Sequence, residues 1–400
     1  MQLKQDLKKH IICKLKGENK MARYAQACPI IYGEGSLNLL GNETKKLGCS
    51  KVMVVSDKEI IKLDFYSKAL KNLKEAGIKV VEFSKIIPDP PDYIINEGGK
   101  LAQKEDIDGI IAIGGGSPMD AAKAINILVN NPLPINNYFG QPVYNPGVPV
   151  IMISTTAGTG SESTSIAVVT DTSNNAKNSV ICNASLGILD PETTLTLPVE
   201  NTANTGIDTL AHAAEAITAK EGNPKSELLA KDAIIKVINN LPLAISDPRN
   251  LVARSNLLIA SNFAGIAFND SLVHLGHAIA HAIGAKFHIT HGVICGLALP
   301  EVMIYAAGVK AEKVKIVAEA MGIIFKENEN SSKIAEKAAK SIREFLKKVN
   351  IKSCKELDIP RDEFIGTAKM VISDPCYQFI PKKLNEREVK NILEKIYDNY

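Results

Sequence analysis

The sequence predicts a chain in two parts: an α/β half on a parallel, Rossmann-like sheet, followed by an all-α half. Three observations predict it. Short β-branched runs alternate with helical patterns up to about residue 195. Those runs are almost continuously apolar, as strands buried on both faces of a parallel sheet must be. After Asp190-Pro191 and Leu197-Pro198 the strand pattern stops, and helical periodicity continues to the C-terminus.

Taken in order, Lys51–Ser56 (KVMVVS), Lys79–Phe83 (KVVEF), Asp108–Ile113 (DGIIAI) and Val148–Ser154 (VPVIMIS) read as strands. Helical stretches at 58–76 and 93–104 separate the first three, and another at 118–129 follows the third. Beyond the prolines, helices are expected at 202–219, 225–240, 249–267, 272–284, 291–306, 310–321, 332–349, 361–372 and 386–397. Asn385 and Glu388 form a capping box that opens the last. Ahead of the first strand, Leu3, Leu7, Ile11 and Leu15 recur every four residues among lysines, the pattern of a short amphipathic helix.

Composition narrows the function classes. The 400 residues are 45% hydrophobic and 23% charged, which excludes disorder, collagen and coiled coil for the whole chain. Lys+Arg 47 against Asp+Glu 44 gives no electrostatic case for nucleic acid, and with no Trp and 5% aromatics stacking platforms are scarce. No apolar stretch reaches the ~20 residues a membrane span needs; Val293–Val309 comes nearest and is broken by Pro300 and Glu301. Ile11-Ile12-Cys13 is too short for the apolar region of a signal peptide. The 7 cysteines are scattered without a C-x-x-C, the usage expected of reduced thiols in a cytoplasmic protein.

Two stretches carry chemistry. Gly114-Gly115-Gly116-Ser117-Pro118-Met119-Asp120 joins a strand to a helix. Its glycines let backbone approach a ligand closely, Ser117 reads as the N-cap with Pro118 at the first helical position, and Asp120 completes a capping pattern. The exposed N–H groups of such a helix start suit an anion, most naturally a pyrophosphate, although a capped turn with no ligand uses the same residues. A second polar turn, Thr155-Thr156-Ala157-Gly158-Thr159-Gly160-Ser161-Glu162, follows another strand, and two such turns at strand C-termini favour the cofactor reading. Asp57 closes the first strand, where its carboxylate either accepts from ribose hydroxyls or caps the next helix.

The other stretch is denser. Of the 7 histidines, His274, His277, His281, His288 and His291 crowd one short segment, and His212 stands four after Asp208. Spacing of four places Asp208 with His212, and His277 with His281, on shared helix faces. His291 follows a loop expected to contain Gly284, from which it turns back toward His277. Three imidazoles and a carboxylate are a closed N/O set for a divalent transition metal, with no thiolate to choose between iron and zinc. His274 and His288 are expected behind the ligands or at the surface.

Together GGGSPMDAAKA (114–124), TTAGTGSE (155–162), GIDTLAHAAE (206–215) and HAIAHAIGAKFHITHG (277–292) resemble the iron-containing (group III) alcohol dehydrogenase family, from about Ile30 to the C-terminus. The resemblance implies a dehydroquinate synthase-like architecture: 1–25 as an N-terminal extension, 26–196 as a dinucleotide-binding α/β domain and 197–400 as an all-helical metal-binding domain. It implies Asp208, His212, His277 and His291 as metal ligands and His281 as the active-site histidine that does not ligate. It further implies Gly114, Gly115, Gly116, Ser117 and Asp120 at the pyrophosphate and nicotinamide, Thr155, Thr156 and Thr159 on the adenosine side, and Ile166, Phe268 and Cys376 at the substrate pocket. Asp57 matches NAD-using members, since a 2′-phosphate would meet carboxylate repulsion there. Ala282 replaces a common proline, and His274 is unusual.

The implied activity is metal-dependent, NAD(H)-linked interconversion of a short-chain primary alcohol and its aldehyde. Fe2+ is the implied metal, with Zn2+ as the alternative. A polyol (glycerol-type) dehydrogenase or a dehydroquinate synthase-like lyase is the related reading, and a metal-binding scaffold the non-enzymatic one. A homodimer or higher homo-oligomer is expected, acting on a small alcohol or aldehyde without nucleic acid or membrane. The N-terminal helix is expected as a self-packed extension or a docking peptide.

Overall fold

Val52–Val55, Ile110–Ile113 and Val150–Ile153 offer no polar face, so the chain can place them only where helices cover both sides. The computed structural model describes Gln26 and residues 28–400 apart from 142 and 175; the expected N-terminal helix lies outside these residues. The first half comprises β1 (Ile30–Tyr32), α1 (Leu40–Lys46), β2 (Lys51–Asp57), α2 (Asp64–Glu75), β3 (Lys79–Ile86), α3 (Asp92–Glu105), β4 (Gly109–Gly114), α4 (Gly116–Val129), β5 (Val150–Ser154), β6 (Ile166–Asp171), β7 (Ala176–Ile181) and β8 (Leu186–Leu189). Six strands form one parallel sheet in the order β1-β8-β5-β4-β2-β3, and β6 with β7 makes a separate antiparallel ribbon.

This topology positions a cleft. From β2 the chain moves outward to β3, then returns to β4 on the other side, so the order reverses between β2 and β4. Ligands bind parallel sheets beyond the strand C-termini at such a reversal. Asp57 ends β2 and Gly114 ends β4 there. The β4–β5 register runs from Ile110↔Val150 to Gly114↔Ser154, which brings the two polar turns side by side.

The second half holds α5 (Val199–Thr218), α6 (Pro224–Ser246), α7 (Leu251–Ser271), α8 (Leu275–Phe287), α9 (His291–Ala320), α10 (Ser331–Lys348), α11 (Arg361–Ile365), α12 (Ala368–Ser373) and α13 (Glu386–Asp398). They share one core, in which alanines dominate the buried faces of α5 and allow close helix approach. The Asn385–Glu388 capping box opens α13 as expected.

The structure alters several expectations. The helices expected at 291–306 and 310–321 run on as α9, interrupted only where Lys310 leaves helical backbone angles. Pro300 and Glu301 lie inside α9, as the helix expected at 291–306 requires, and Glu301 pairs with Arg343. By length and composition alone α7 and α9 could cross a membrane, but most of each is buried against other helices. Gly284 belongs to α8, which stops after Phe287 where His288 takes a left-handed conformation at φ 56. Helix α4 begins one residue before Ser117, with Gly115 as N-cap and no side-chain cap. Asp120 does not cap it: its carboxylate accepts from Ser161 Oγ at 2.7 Å and from the Val168 N–H at 3.0 Å, tying α4 to the following loop and β6.

Candidate metal centre and dinucleotide cleft

The cleft is mostly backbone. Gly114 has φ +158, and a Cβ on it would meet the Pro118 ring at 2.5 Å. A Cβ on Gly116 would lie 2.8 Å from Thr159 Cγ2, and one on Gly115 3.1 Å from Thr156 Oγ1. The glycine and threonine turns are therefore in direct contact, and the Thr155 N–H donates to Gly114 O at 3.0 Å. With no side chain capping α4, the N–H groups of Gly116 and Ser117 remain for an anion, since Pro118 has none and Met119 donates to Gly115 O. Fully buried Lys123 braces the threonine turn from beneath, donating to Ser161 O at 2.7 Å and Thr164 Oγ1 at 3.1 Å. Asp57 Oδ1 accepts from the N–H groups of Glu59 and Ile60, both at 2.9 Å, which closes a local turn; it caps no helix, since Leu63 stands at the N-cap of α2.

The cleft is joined to the second half. Thr209 Oγ1 donates toward Ala157 O and Gly158 O at 3.1 and 3.2 Å, so the threonine turn rests on α5 beside Asp208.

The histidines converge. Asp208 and His212 sit one turn apart on α5, with His212 Nδ1 3.7 Å from Asp208 Oδ2. His277 lies on α8 with its ring centroid 4.5 Å from that of His212 and 5.3 Å from that of His291. His291 opens α9, its Nε2 3.7 Å from Asp208 Oδ1. That approach requires Gly292, where a Cβ would meet Asn204 O at 2.2 Å. All four side chains that the resemblance names as ligands thus meet in one place.

The electrostatics suit a cation. Asp208 Oδ1, His212 Nδ1 and His277 Nε2 are buried without hydrogen-bond partners, a burial that costs about 1–3 kcal/mol for each such group. One divalent ion would satisfy all three. Burial holds His212 and His291 well below the usual imidazole range, aided by neighbouring imidazoles, so both are neutral as ligands must be. Burial also pushes the Asp208 carboxyl up to about 6.

Behind the centre stands Glu215, which sequence reasoning quoted in its motif but assigned no role. His277 Nδ1 donates to Glu215 Oε2 at 2.6 Å, which leaves Nε2 facing the centre. Glu215 also accepts from the N–H groups of His274 at 3.0 Å and Gly276 at 2.5 Å. Burial alone would raise its pKa, but His274, His277 and these donors hold it below the usual carboxylate range. Burial works against charge on His277 as well, and the Glu215 pairing outweighs it, leaving that pKa raised. His274 is fully buried beside Glu215 and pairs with Thr218 Oγ1 at 2.9 Å, whereas His288 is exposed. Glu215 was legible in principle: Asp208, His212 and Glu215 follow i, i+4, i+7 spacing on one helix face.

His281 borders the centre, its ring stacked 5.3 Å from that of His291. Its Nδ1 donates to Asp374 Oδ2 at 2.9 Å, a partner the sequence did not suggest. Phe268 stacks on His212 at 4.4 Å, and Cys376 joins His281 and Asp374 in a cluster of donor atoms. Ile166 opens β6 next to Ser165, whose N–H donates to Asn269 Oδ1 at 2.8 Å, one residue after Phe268. The centre also holds a sulfur: Cys295 lies within 4.8 Å of donor atoms on Asp208, His277 and His291. Cys295 follows His291 by one helical turn, its Sγ 3.4 Å from His291 Nε2.

Comparison with known proteins agrees with this geometry. The profile of iron-containing alcohol dehydrogenases matches residues 28–191, and that of the Fe-containing alcohol dehydrogenase C-terminal family matches 202–397. The chain is 33% identical over 374 residues to an NAD-dependent methanol dehydrogenase of Bacillus methanolicus, covering 91% of this chain and 97% of that one. It is 34% identical over 378 residues to a 1,3-propanediol dehydrogenase of Citrobacter freundii, covering 92% and 96%. A solved 1,3-propanediol oxidoreductase superposes with a TM-score of 0.91 at 32% identity, over 94% of this chain and all of the other. The chain belongs to the iron-containing alcohol dehydrogenase family.

Proposed function

We propose that this protein interconverts a short-chain primary alcohol and its aldehyde with NAD(H), using Fe2+ held by Asp208, His212, His277 and His291. One observation carries the reading: three buried, unpartnered donor atoms, on Asp208, His212 and His277, gather where His291 opens α9. When bound, the metal supplies a Lewis acid for the alcohol hydroxyl and the nicotinamide supplies the hydride acceptor.

The chain's own residues do the rest. The free N–H groups at the start of α4 and the Gly115–Gly116 backbone hold the pyrophosphate, and Thr155, Thr156 and Thr159 form the adjoining wall. Asp57 receives a ribose hydroxyl on the oxygen its turn leaves over and repels a 2′-phosphate, which favours NAD. Glu215 fixes the tautomer and direction of His277. Thr209 sets the spacing between cofactor turn and metal helix. His281, steadied through Nδ1 by Asp374, accepts the alcohol proton at Nε2 and passes it to solvent. Phe268, Cys376 and Ile166 present an apolar wall that excludes water and suits a short unbranched chain. The similarity to 1,3-propanediol dehydrogenases favours a diol as the second substrate class.

We further place the active form as a homodimer or higher homo-oligomer in the cytoplasm; the free, buried Cys28, Cys49, Cys182, Cys295 and Cys354 support a reducing compartment. Divisions near 25 and 196 and a docking role for residues 1–25 remain part of this proposal. The test is a panel of short primary alcohols, diols and aldehydes with NAD and NADP on protein of measured metal content. Stoichiometric NADH and aldehyde formation supports the reading. Turnover without net NADH transfers the protein to the lyase class.

A further inference from the structure

Helix α6 turns apolar side chains outward. Its solvent-facing line runs Leu228, Lys231, Ile235, Asn239 and Leu243, a helical spacing on one face. Leu228 is 70% exposed, Ile235 38% and Leu243 49%, with Lys231 the one charge between them. The exposed positions of α2, α10 and α13 carry only polar residues; on α10 they include Lys333, Glu336, Lys340, Glu344 and Lys347. Val252 of α7, 72% exposed, widens the stripe at one end. Asn256 Nδ2 donates to Asn240 Oδ1 at 3.2 Å, which sets the start of α7 beside the end of α6. One exposed leucine is ordinary, but a stripe along a helix marks a contact surface.

The stripe names its own partner, because it is close to a mirror image of itself about Ile235. Leu228 lies seven residues before Ile235 and Leu243 eight after it. Against a second copy of α6 run antiparallel, Leu228 therefore meets Leu243 at both ends and Ile235 meets itself on the two-fold axis. The charges agree with that register. Lys231 falls opposite Asn239 and Asn240 of the other copy. Lys236 pairs with Asp232 at 3.0 Å on its own helix and comes beside the other copy's Asp232 as well, a neutral quartet at the axis. Towards the ends, Glu221 falls near the other copy's Arg249, and Lys225, 3.2 Å from Asp270 of its own chain, falls near the other copy's Asp247.

We propose that α6 is the contact between two copies of this chain, packed antiparallel about a two-fold axis through Ile235, with Val252 at each edge. The inference rests on the reading of a homo-oligomer and gives it a surface. A helix of 23 residues offers a contact about 34 Å long. The inner face of the same helix supports the metal-binding half: a Cβ on Gly206 of α5, two residues before Asp208, would meet Leu241 Cδ1 at 2.5 Å.

Mass and cross-linking test the proposal on the full chain. Light scattering after size-exclusion chromatography is expected to give an even number of subunits. Ile235→Glu sets two carboxylates together at the axis and is expected to lower that mass at least twofold, with helical circular dichroism unchanged. Ile235→Cys treated with diamide, which takes up the two thiol hydrogens, is expected to form one disulfide across the axis and yield a covalent dimer. Leu228→Cys, whose two copies stand at opposite ends of the contact, is expected to yield no more covalent dimer than the unaltered chain. A monomeric unaltered chain overturns both this inference and the homo-oligomer reading, and leaves the stripe to a different partner. An assembly whose mass survives Ile235→Glu overturns the inference and leaves the homo-oligomer standing. So does an Ile235→Cys assembly that cross-links no more than the unaltered chain.

Discussion

The dinucleotide cleft and the histidine centre touch through Thr209, yet they recognise their ligands by different means. The cleft works with backbone: glycines that admit no Cβ, an uncapped helix start, and threonines packed against them. The centre works with side chains, and its Asp208, His212 and His277 each bring a buried donor atom without a hydrogen-bond partner. A backbone site tolerates changes of residue type that keep its shape, whereas a side-chain site fails when one donor is lost. Damage to the two should therefore separate, the centre losing metal and turnover and the cleft losing cofactor affinity.

The largest effect expected is at the centre. His277→Ala should lose bound metal and lower kcat about a thousandfold, since Lewis-acid stabilisation is worth several kcal/mol; metal analysis beside steady-state kinetics checks both. Equal loss of NAD binding in that variant would break the separation. Glu215→Gln sharpens it from behind the ligands: the amide cannot fix His277 as the carboxylate does, and metal affinity should fall about 10–100-fold, read by chelator competition. On the cleft side, Gly116→Ala puts a Cβ 2.8 Å from Thr159 Cγ2. It should raise the KM for NAD about tenfold, from overpacking of one to a few kcal/mol, with metal content unchanged. Asp57→Gly should be smallest, improving KM for NADP relative to NAD by about tenfold as a charge is removed. An unchanged ratio would show that Asp57 acts only as the turn cap its Oδ1 already provides.

The sequence was legible wherever one physical signal dominated. Strands β2, β4 and β5 were visible because burial on both faces leaves unbroken apolar runs, and edge strand β3 from its shorter β-branched start. The histidine cluster was visible because histidine is rare and these recur at helical intervals of three, four and seven. Strands β1 and β8 were missed because three and four residues carry too short a pattern. The ribbon of β6 and β7 was missed because Ala176–Ile181 is largely polar. Partners reached only through folding were also hidden: Asp374 meets His281 from 93 residues away. Asp120 looked like a cap in sequence, and only the fold gave its carboxylate other donors in Ser161 and Val168. Cys295 was discounted among scattered cysteines, although its spacing from His291 was in view.

The most direct test of the central claim is a metal titration of stripped protein, following turnover of a short primary alcohol with NAD against bound Fe2+. The account predicts negligible turnover without metal, rising in proportion to occupancy and levelling off when Asp208, His212, His277 and His291 are filled by one ion. Full turnover in rigorously metal-free protein would contradict it.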